Sequence, residues 1–425
     1  MITLLIVADD FTGALDTGVQ LAGCGAPTRV VTDPEFSPAN AAGAEVLVID
    51  AETRHLPPSQ AGAIVEGIVR RAVEQKVPYI YKKTDSALRG NVGAELGALL
   101  AASGEKALPF LPAYPQIDRC TRGGVHYIEG RPVAESVFGI DPFEPVRHSD
   151  IAGLIGAQSG VPVHSLPADA PAPEGQGIYV YDASSLADLE RAGQTLAAAG
   201  RLHISAGCAG FGAVLPQLLG LGRAQQPPKP RLDPRLLVVC GSVNPITVAQ
   251  LDAAEEAGFA RLRLTPRQKL EPGYWNTPEG EADRARIEAL LQANPRVLLD
   301  SNDAGGNGPT ADYAAGLGCG LEEMRVRIAS SIGDLVAGLL HSPAVGTLLM
   351  TGGDTLLQVM RCAGVRELEP LCELEKGVVL ARCTYRGCTR HVITKSGGFG
   401  QAALLTDLAA RLEAQAEENR NRSVR

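Results

Sequence analysis

The chain has 425 residues, 45% of them hydrophobic and 4% aromatic, with nine cysteines and a formal net charge of −9. That length allows two or three domains with a large core, and the acidic balance argues against general nucleic-acid or membrane-surface binding. The scattered cysteines, odd in number and without a CxxC pair, fit a reduced cytoplasmic setting; no apolar run approaches the ~20 residues of a membrane span, and the apolar start meets Asp9 too early for a signal peptide.

The chain opens on the apolar run Ile2 to Ala8 and then reads Asp9-Asp10-Phe11-Thr12-Gly13-Ala14. Such a run suits a strand buried on both faces of a parallel sheet. Thr12 is expected to cap a helix striped by Leu15, Val19 and Ala22, stopped by Gly25 and Pro27. Arg29 to Thr32 reads as a second strand. Asp9 and Asp10 thus fall at the carboxyl end of the first strand of a βαβ unit, the edge at which open α/β sheets bind ligands. Two adjacent carboxylates repel and are costly to desolvate, which implies a metal, a polyol, a cation or a shared proton.

The pattern repeats. Val46 to Ile49 is a strand ending in Asp50-Ala51-Glu52-Thr53-Arg54, followed by a helix from about Ser59 to Gln75. Pro78 to Tyr81 is a strand ending in Lys82-Lys83-Thr84-Asp85-Ser86-Ala87-Leu88-Arg89-Gly90, followed by a helix over Ala94 to Ala102. Ala107 to Leu111 is a short strand, and Val125 to Ala134 reads as a hairpin turning at Glu129-Gly130. Gly220 to Pro234, rich in proline, polar and basic residues, reads as a linker. The expected division is a first domain over 1–220, a linker over 221–234 and a second domain over 235–425.

The second series starts at Leu236 to Cys240, with later strands at Arg296 to Asp300, Thr347 to Met350 and His391 to Thr394. Helices are expected near 247–257, 282–293, 322–341, 355–363 and 400–416. The fold class is α/β: two domains with mainly parallel, helix-flanked sheets and a cleft between them.

Two constellations carry chemistry. Three strand ends of the first domain deliver Asp9, Asp10, Arg54, Lys82, Lys83, Asp85 and Arg89, with Thr84 and Ser86 in the same loop. Arginine and lysine pair with an anion, and aspartate accepts hydrogen bonds from hydroxyls or deprotonates one; together they suit a small polyhydroxy acid. Helix capping and solvated ion pairs explain any one of these residues as well, but not the whole set. In the second domain, Gly241-Ser242, Thr351-Gly352-Gly353-Asp354-Thr355 and Lys395-Ser396-Gly397-Gly398 each follow a strand. Glycines there expose backbone N–H groups beside a helix N-terminus, an anion cradle suited to a nucleotide. Lys395 is either a phosphate contact or a surface lysine. GxxxxGK[ST], a strand-linked GxGxxG, HExxH and the protein-kinase signatures are absent.

The strings ADDFTGALDTG (8–18), KKTDSALRGNVGAEL (82–96), GGVHYIEGRPVAES (123–136), GSVNP (241–245), TGGDT (351–355) and KSGGFG (395–400) resemble the four-carbon acid sugar kinase family and keep its order. The resemblance implies a first domain that binds a tetronate-like acid and a second that binds ATP, with phosphorylation of the terminal C4 hydroxyl. Substrate contacts would fall on Asp9 or Asp10, Arg54, Lys82 to Ser86 and Arg89. ATP contacts would fall on Ser242, Gly352 to Thr355, and Gly397 and Gly398. ATP with Mg²⁺ is the implied cofactor pair, no residue set is assigned as metal ligands, and a homo-oligomer is compatible. Asp354, Asp85 and Asp10 are the candidates for the catalytic base. Ala87, Leu15 and Val243-Asn244 depart from the family pattern, which leaves the fold intact. Two other readings remain: a non-catalytic sensor of the same fold, and a Schiff-base lyase using Lys82 or Lys83.

Overall fold

A computed structural model of the chain describes residues 1–141, 144–223 and 230–423. It divides into two compact units, Met1–Pro227 and Pro228–Arg425. Residues 224–229 of the expected linker lie outside the described residues. Among the described residues no helix is long and apolar enough to cross a membrane.

The first unit runs β1 (Leu4–Ala8), α1 (Phe11–Gly23), β2 (Thr28–Val31), β3 (Val46–Asp50), α2 (Pro58–Glu74), β4 (Tyr79–Lys83), α3 (Val92–Ser103) and β5 (Ala107–Leu111). A meander follows: β6 (Arg119–Arg122), β7 (Val125–Ile128) and β8 (Arg131–Pro132). Then come α4 (Ile151–Gly156), β9 (Val163–Leu166), β10 (Gly177–Tyr181), α5 (Leu186–Ala198), β11 (Ile204–Gly207), α6 (Ala209–Gly212) and α7 (Leu215–Leu219). The main sheet has the order β2-β3-β1-β4-β11-β5-β10-β9, and each of these pairings is parallel. All five residues of β1 are buried, as a strand covered on both faces requires. Glu129 and Gly130 both have positive φ, which matches the right-handed twist of the β7–β8 hairpin.

The second unit runs β12 (Leu236–Cys240), α8 (Pro245–Glu256), β13 (Ala260–Arg263), α9 (Pro266–Leu270), α10 (Pro278–Ala293), β14 (Arg296–Asp300), α11 (Gly308–Gly316) and α12 (Leu321–Leu339). It continues with β15 (Thr347–Thr351), α13 (Gly353–Cys362), β16 (Glu367–Glu375), β17 (Val378–Tyr385), β18 (Cys388–Lys395) and α14 (Leu404–Ser423). The sheet order is β13-β14-β12-β15-β18-β17-β16, with β16 and β17 antiparallel. The core gathers Leu236, Val238 and Cys240 of β12 with Leu349, Ile393 and, from α14, Leu405 and Leu408.

Three strands of this unit go beyond the sequence reading. β13 is only half-buried and lacks an apolar run. β16 carries Pro370 and a register shift between Pro370 and Cys372, which breaks the alternation that marks a strand. β17 follows it through Gly377, at φ 72°. The first helix also starts earlier than expected. Asp10, not Thr12, is its N-cap: the Asp10 carboxylate accepts from the Gly13 N–H at 3.1 Å, leaving the Thr12 side chain inside the first turn.

In each sheet, two neighbouring strands send their connections in opposite directions. β1 leads through α1 to β2 on one side, while β4 leads through α3 to β5 on the other. β12 leads through α8 to β13, whereas β15 leads through α13 to β16 on the far side. The connections therefore part beyond the carboxyl ends of these pairs and open a crevice there.

Candidate functional site

In the first unit the crevice lies between Asp9-Asp10 after β1 and Lys83 to Arg89 at the end of β4. The parallel register sets Ala8 level with both Asp50 and Lys83. Arg54 reaches over from the end of β3. Its Nε donates to Asp9 Oδ2 at 2.8 Å and its Nη1 to Asp10 Oδ2 at 3.1 Å. Its Nη2 lies 2.8 Å from Asp9 Oδ2, 2.8 Å from Asp10 Oδ1 and 3.6 Å from Asp85 Oδ1. Lys83 Nζ stands 3.8 Å from Asp9 and 3.6 Å from Asp10. Asp85 is gripped by Arg89 through both oxygens at 3.0 Å and accepts from the Ala87 and Arg89 backbone N–H groups.

Three cations (Arg54, Lys83, Arg89) therefore face three carboxylates (Asp9, Asp10, Asp85). Burial alone would raise the Asp10 carboxyl, but Arg54 and Lys83 outweigh it and hold it below its ordinary value. Burial of Asp85 is outweighed in the same way by Arg89 and Arg54, which hold it well below. Both are fixed carboxylates at neutral pH.

Three buried polar atoms in this set have no hydrogen-bond partner among the described residues: Asp9 Oδ1, Arg54 Nη2 and Thr84 Oγ1. Buried polar groups rarely stay unpaired, so an acceptor, a guanidinium donor and a hydroxyl left open in the loops of a crevice fit a hydroxylated acid. The backbone accommodates this approach at Gly13: a Cβ there would meet Lys83 Nζ at 2.0 Å.

The structure separates Lys82 from the rest. Successive strand residues point to opposite faces, so Lys82 enters the core while Lys83 faces the crevice. Lys82 Nζ pairs with Glu95 Oε2 of α3 at 3.1 Å, both side chains being 1% exposed. Glu95 also accepts from Thr53, and Asn91 Nδ2 donates to the carbonyls of Thr53 and Leu56 at 2.8 Å. Lys82 thus supports the segment that carries Arg54. Ser86 lies in the loop but is held by the meander: its hydroxyl accepts from Arg119 and its carbonyl meets His126 Nε2 at 3.0 Å. Burial lowers His126 to about 4, so the ring is neutral, and its contact with the Ser86 carbonyl places the proton on Nε2.

Sequence reasoning did not single out Arg119, His126, Phe138 or Asp141. Arg89 Nη1 donates to Asp141 at 3.4 Å, and the Arg89 and Arg119 guanidinia stand 5.3 and 5.1 Å from the Phe138 ring centre. His126 was visible inside GGVHYIEGRPVAES; the others sit in segments without a local motif. Asp50 was also passed over. It is fully buried, and burial, followed by the nearby Glu52, raises it well above its ordinary value.

In the second unit, the glycine loops meet at the β12/β15 crevice. A Cβ on Gly241 would stand 1.7 Å from Thr355 Oγ1, and one on Gly397 would stand 2.7 Å from Ser242 Oγ. Gly352 caps α13 at φ 103°, a conformation that other residues rarely adopt. Gly353, Asp354 and Thr355 form the first turn of α13. Ser242, Gly352 to Thr355 and Gly397 are thus brought to one place; Gly398 follows in the same loop, with a Cβ position 3.8 Å from Asn244 Nδ2. The cradle has backbone N–H groups beside two helix N-termini, α8 and α13, and fits a phosphate chain.

Asp354 does not cap the helix; its carboxylate pairs with Arg325 of α12. Lys395 is neither a surface lysine nor directed outward. It is 3% exposed and donates to Thr247 Oγ1 at 3.0 Å and to the carbonyls of Ser396 and Gly397 at 3.1 and 3.2 Å. Burial brings it down to about 8. Among the described residues, no group of three or more His, Cys, Asp or Glu side chains could hold a metal ion.

Two family models match this chain: a sugar-binding N-terminal domain over residues 4–215 and a nucleotide-binding C-terminal domain over residues 237–405. D-threonate kinase of Salmonella typhimurium is 30% identical over 95% of this chain and 97% of its own length. D-erythronate kinase of Heliobacterium modesticaldum is 27% identical, with 95% of each chain covered. 3-Oxo-tetronate kinase of Methylobacterium radiotolerans is 27% identical over 93% of this chain and 96% of its own. A crystal structure from Salmonella typhimurium LT2 superposes with a TM-score of 0.78 at 22% identity, covering 97% of this chain and all of that one. A Haemophilus influenzae structure gives 0.70 at 21%, covering 94% and 97%; at these identities the likeness is one of fold. Two matched domain models spanning most of the sequence, and curated kinases aligned over nearly its full length, place this chain in the four-carbon acid sugar kinase family.

Proposed function

We propose that this chain transfers the γ-phosphate of ATP to the terminal C4 hydroxyl of a four-carbon acid sugar such as threonate, erythronate or 3-oxo-tetronate. The observation that carries the reading is the first crevice: a charge-balanced cluster with three unsatisfied buried polar atoms, Asp9 Oδ1, Arg54 Nη2 and Thr84 Oγ1. Asp9 Oδ1 accepts a hydrogen bond from a substrate hydroxyl, and Thr84 supplies a second contact. Asp10 and Asp85, held ionised, fix Arg54 and Arg89 in place and so set the shape of the pocket.

ATP, when bound, supplies the phosphoryl group and the leaving group. The glycine loops of the second unit present backbone N–H groups to its phosphates, with Ser242 and Thr355 beside them. Mg²⁺ would arrive on the phosphates and not in a cage built by the protein, which accords with how that ion is commonly held. Transfer requires the hydroxyl and the γ-phosphate to come into line. Its loose transition state depends on positioning and charge neutralisation more than on a strong base.

Asp10 and Asp85 are poor proton acceptors while their arginine partners are in place. Asp354, the candidate on the nucleotide side, is arginine-paired as well, with Arg325 of α12, but it is more exposed than either. The Asn variant of each of the three identifies the base as the one whose loss lowers kcat with both KM values kept.

The test is an ATP-dependent screen of ADP release on D- and L-threonate, D- and L-erythronate and 3-oxo-tetronate. Turnover of at least one, lost in Arg54→Met, supports the reading. Tight ADP binding with no turnover of any of them would instead make the chain a sensor. Covalent trapping of a 3-oxo acid by borohydride on Lys83 would make it a lyase.

A further inference from the structure

The cations of the three strand ends each already face a carboxylate. Arg54 is ion-paired with Asp9 and Asp10, although its Nη2 makes no hydrogen bond among the described residues, Lys83 faces the same pair, and Arg89 is bound by Asp85 and Asp141. Arg119 differs. It opens β6, donates to the Ser86 hydroxyl, and stands 5.1 Å from the Phe138 ring centre. Among the described residues no carboxylate oxygen lies within ion-pair distance of it; the nearby charges it feels are those of Asp85, Arg89 and Glu129, with the neutral Cys208 thiol also close. Asp85 follows β4 and Cys208 follows β11, so the guanidinium sits over the carboxyl ends of the strands that carry the pocket.

A half-buried guanidinium without an ion pair is costly, and burial lowers it from its ordinary value although Asp85 partly offsets this. Its position is not accidental. Arg119 is paired to Tyr114 through backbone hydrogen bonds at 2.7 and 3.2 Å, and the meander is pinned to the same Ser86 by neutral His126. The result is a planar donor fork with no ion pair among the described residues, anchored on Ser86 in the loop that carries Thr84 and Asp85.

We infer that Arg119 binds the carboxylate of the substrate and is the residue that selects an acid over a neutral sugar. A guanidinium meets a carboxylate through two parallel hydrogen bonds, and the arriving anion supplies the missing counter-charge. The inference rests on the kinase reading for the class of ligand, and on the geometry of β6 for the residue.

The experiment is calorimetric titration of D-threonate, D-erythronate and their neutral amides into the full chain, Arg119→Gln and Arg119→Lys. Arg119→Gln is expected to weaken binding of the preferred acid about 100-fold while its amide changes by less than about threefold. Arg119→Lys keeps the charge but loses the fork, so the acid should weaken about tenfold with the amide again unchanged. Unchanged acid binding in both variants overturns the inference, as does equal loss of acid and amide in Arg119→Lys. A misfolded Arg119→Gln protein would lose both ligands, and the lysine variant then decides. Acid binding that depends on Arg119 without ADP formation in the wild type would overturn the kinase reading and leave this assignment standing. No acid binding to the wild type overturns both.

Discussion

Arg54 Nη2 lies 2.8 Å from Asp9 Oδ2 and 2.8 Å from Asp10 Oδ1, so one guanidinium joins two carboxylates that are neighbours in the chain. The repulsion between adjacent aspartates is the reason an arginine must be there. Replacing Arg54 with Met leaves the buried Asp9 and the half-buried Asp10 with Lys83, at 3.8 and 3.6 Å, as their nearest cation. We expect a loss of about 3–5 kcal/mol in unfolding free energy at pH 7. Mild acid should return part of it, because protonating one carboxyl removes the repulsion. Urea unfolding at pH 7 and pH 5 checks this: an equal deficit at both would mean that the loss is not electrostatic.

Asp85 predicts the acid limb of the stability curve. Its folded value is held well below the ordinary 3.8. Its stabilisation is therefore fully present above that ordinary value and is lost as pH falls through the lower folded one. Asp85→Asn should destabilise the protein at pH 7 and flatten the decline in Tm between about pH 4 and pH 2. A decline as steep as in the wild type would show that Asp85 does not carry it.

How much of this was legible beforehand depends on the range of each signal. Strand ends are local events, so Asp9, Asp10, Arg54, Lys83, Asp85 and the three glycine loops could be placed at crevice edges from sequence. Which way a side chain turns was not local information. Lys82 and Lys83 are neighbours of identical chemistry, yet strand alternation sends one to Glu95 in the core and the other to the crevice. Arg119 and Phe138 come from the segment between β5 and α4, where short strands and loops leave no periodicity to read. Asp354 could be placed in a glycine loop from sequence, but its partner Arg325 belongs to another helix 29 residues earlier.

Lys395 makes a prediction in the alkaline range. Burial lowers it from 10.5 to about 8, so the unfolded chain keeps its proton between those values while the folded chain has released it. By linkage, this group makes stability rise with pH across that window, and its cost is greatest below pH 8. Lys395→Met should remove that rise. It also deletes the hydrogen bonds to Thr247, Ser396 and Gly397, and should weaken ADP binding about tenfold. Unfolding midpoints from pH 7.5 to pH 10.5, with ADP titrations at pH 7.5, separate the two effects.

The cradle of the second unit can be closed without touching the first. Gly241→Ala places a methyl 1.7 Å from Thr355 Oγ1 and 2.8 Å from Thr355 Cβ, so the first turn of α13 or its threonine must shift. ADP affinity should fall at least tenfold, while calorimetric binding of D-threonate stays within about twofold. Loss of D-threonate binding instead would mean that Gly241 does not serve the nucleotide.

Gly13 tests the other crevice. Here the groups in the way are side-chain ends: a Cβ would meet Lys83 Nζ at 2.0 Å and Oδ1 of the N-cap Asp10 at 2.5 Å. The lysine can swing aside, so Gly13→Ala should not unfold the protein. Alanine inside α1 even favours the helix by about 1 kcal/mol. The cost should appear in function, because the ammonium can no longer stand beside Asp9 and Asp10. We expect an unchanged or slightly raised Tm, a KM for the acid substrate raised at least tenfold, and an unchanged KM for ATP. A fallen Tm would show that the glycine serves packing, and an unaltered KM would remove the Lys83 ammonium from the substrate pocket.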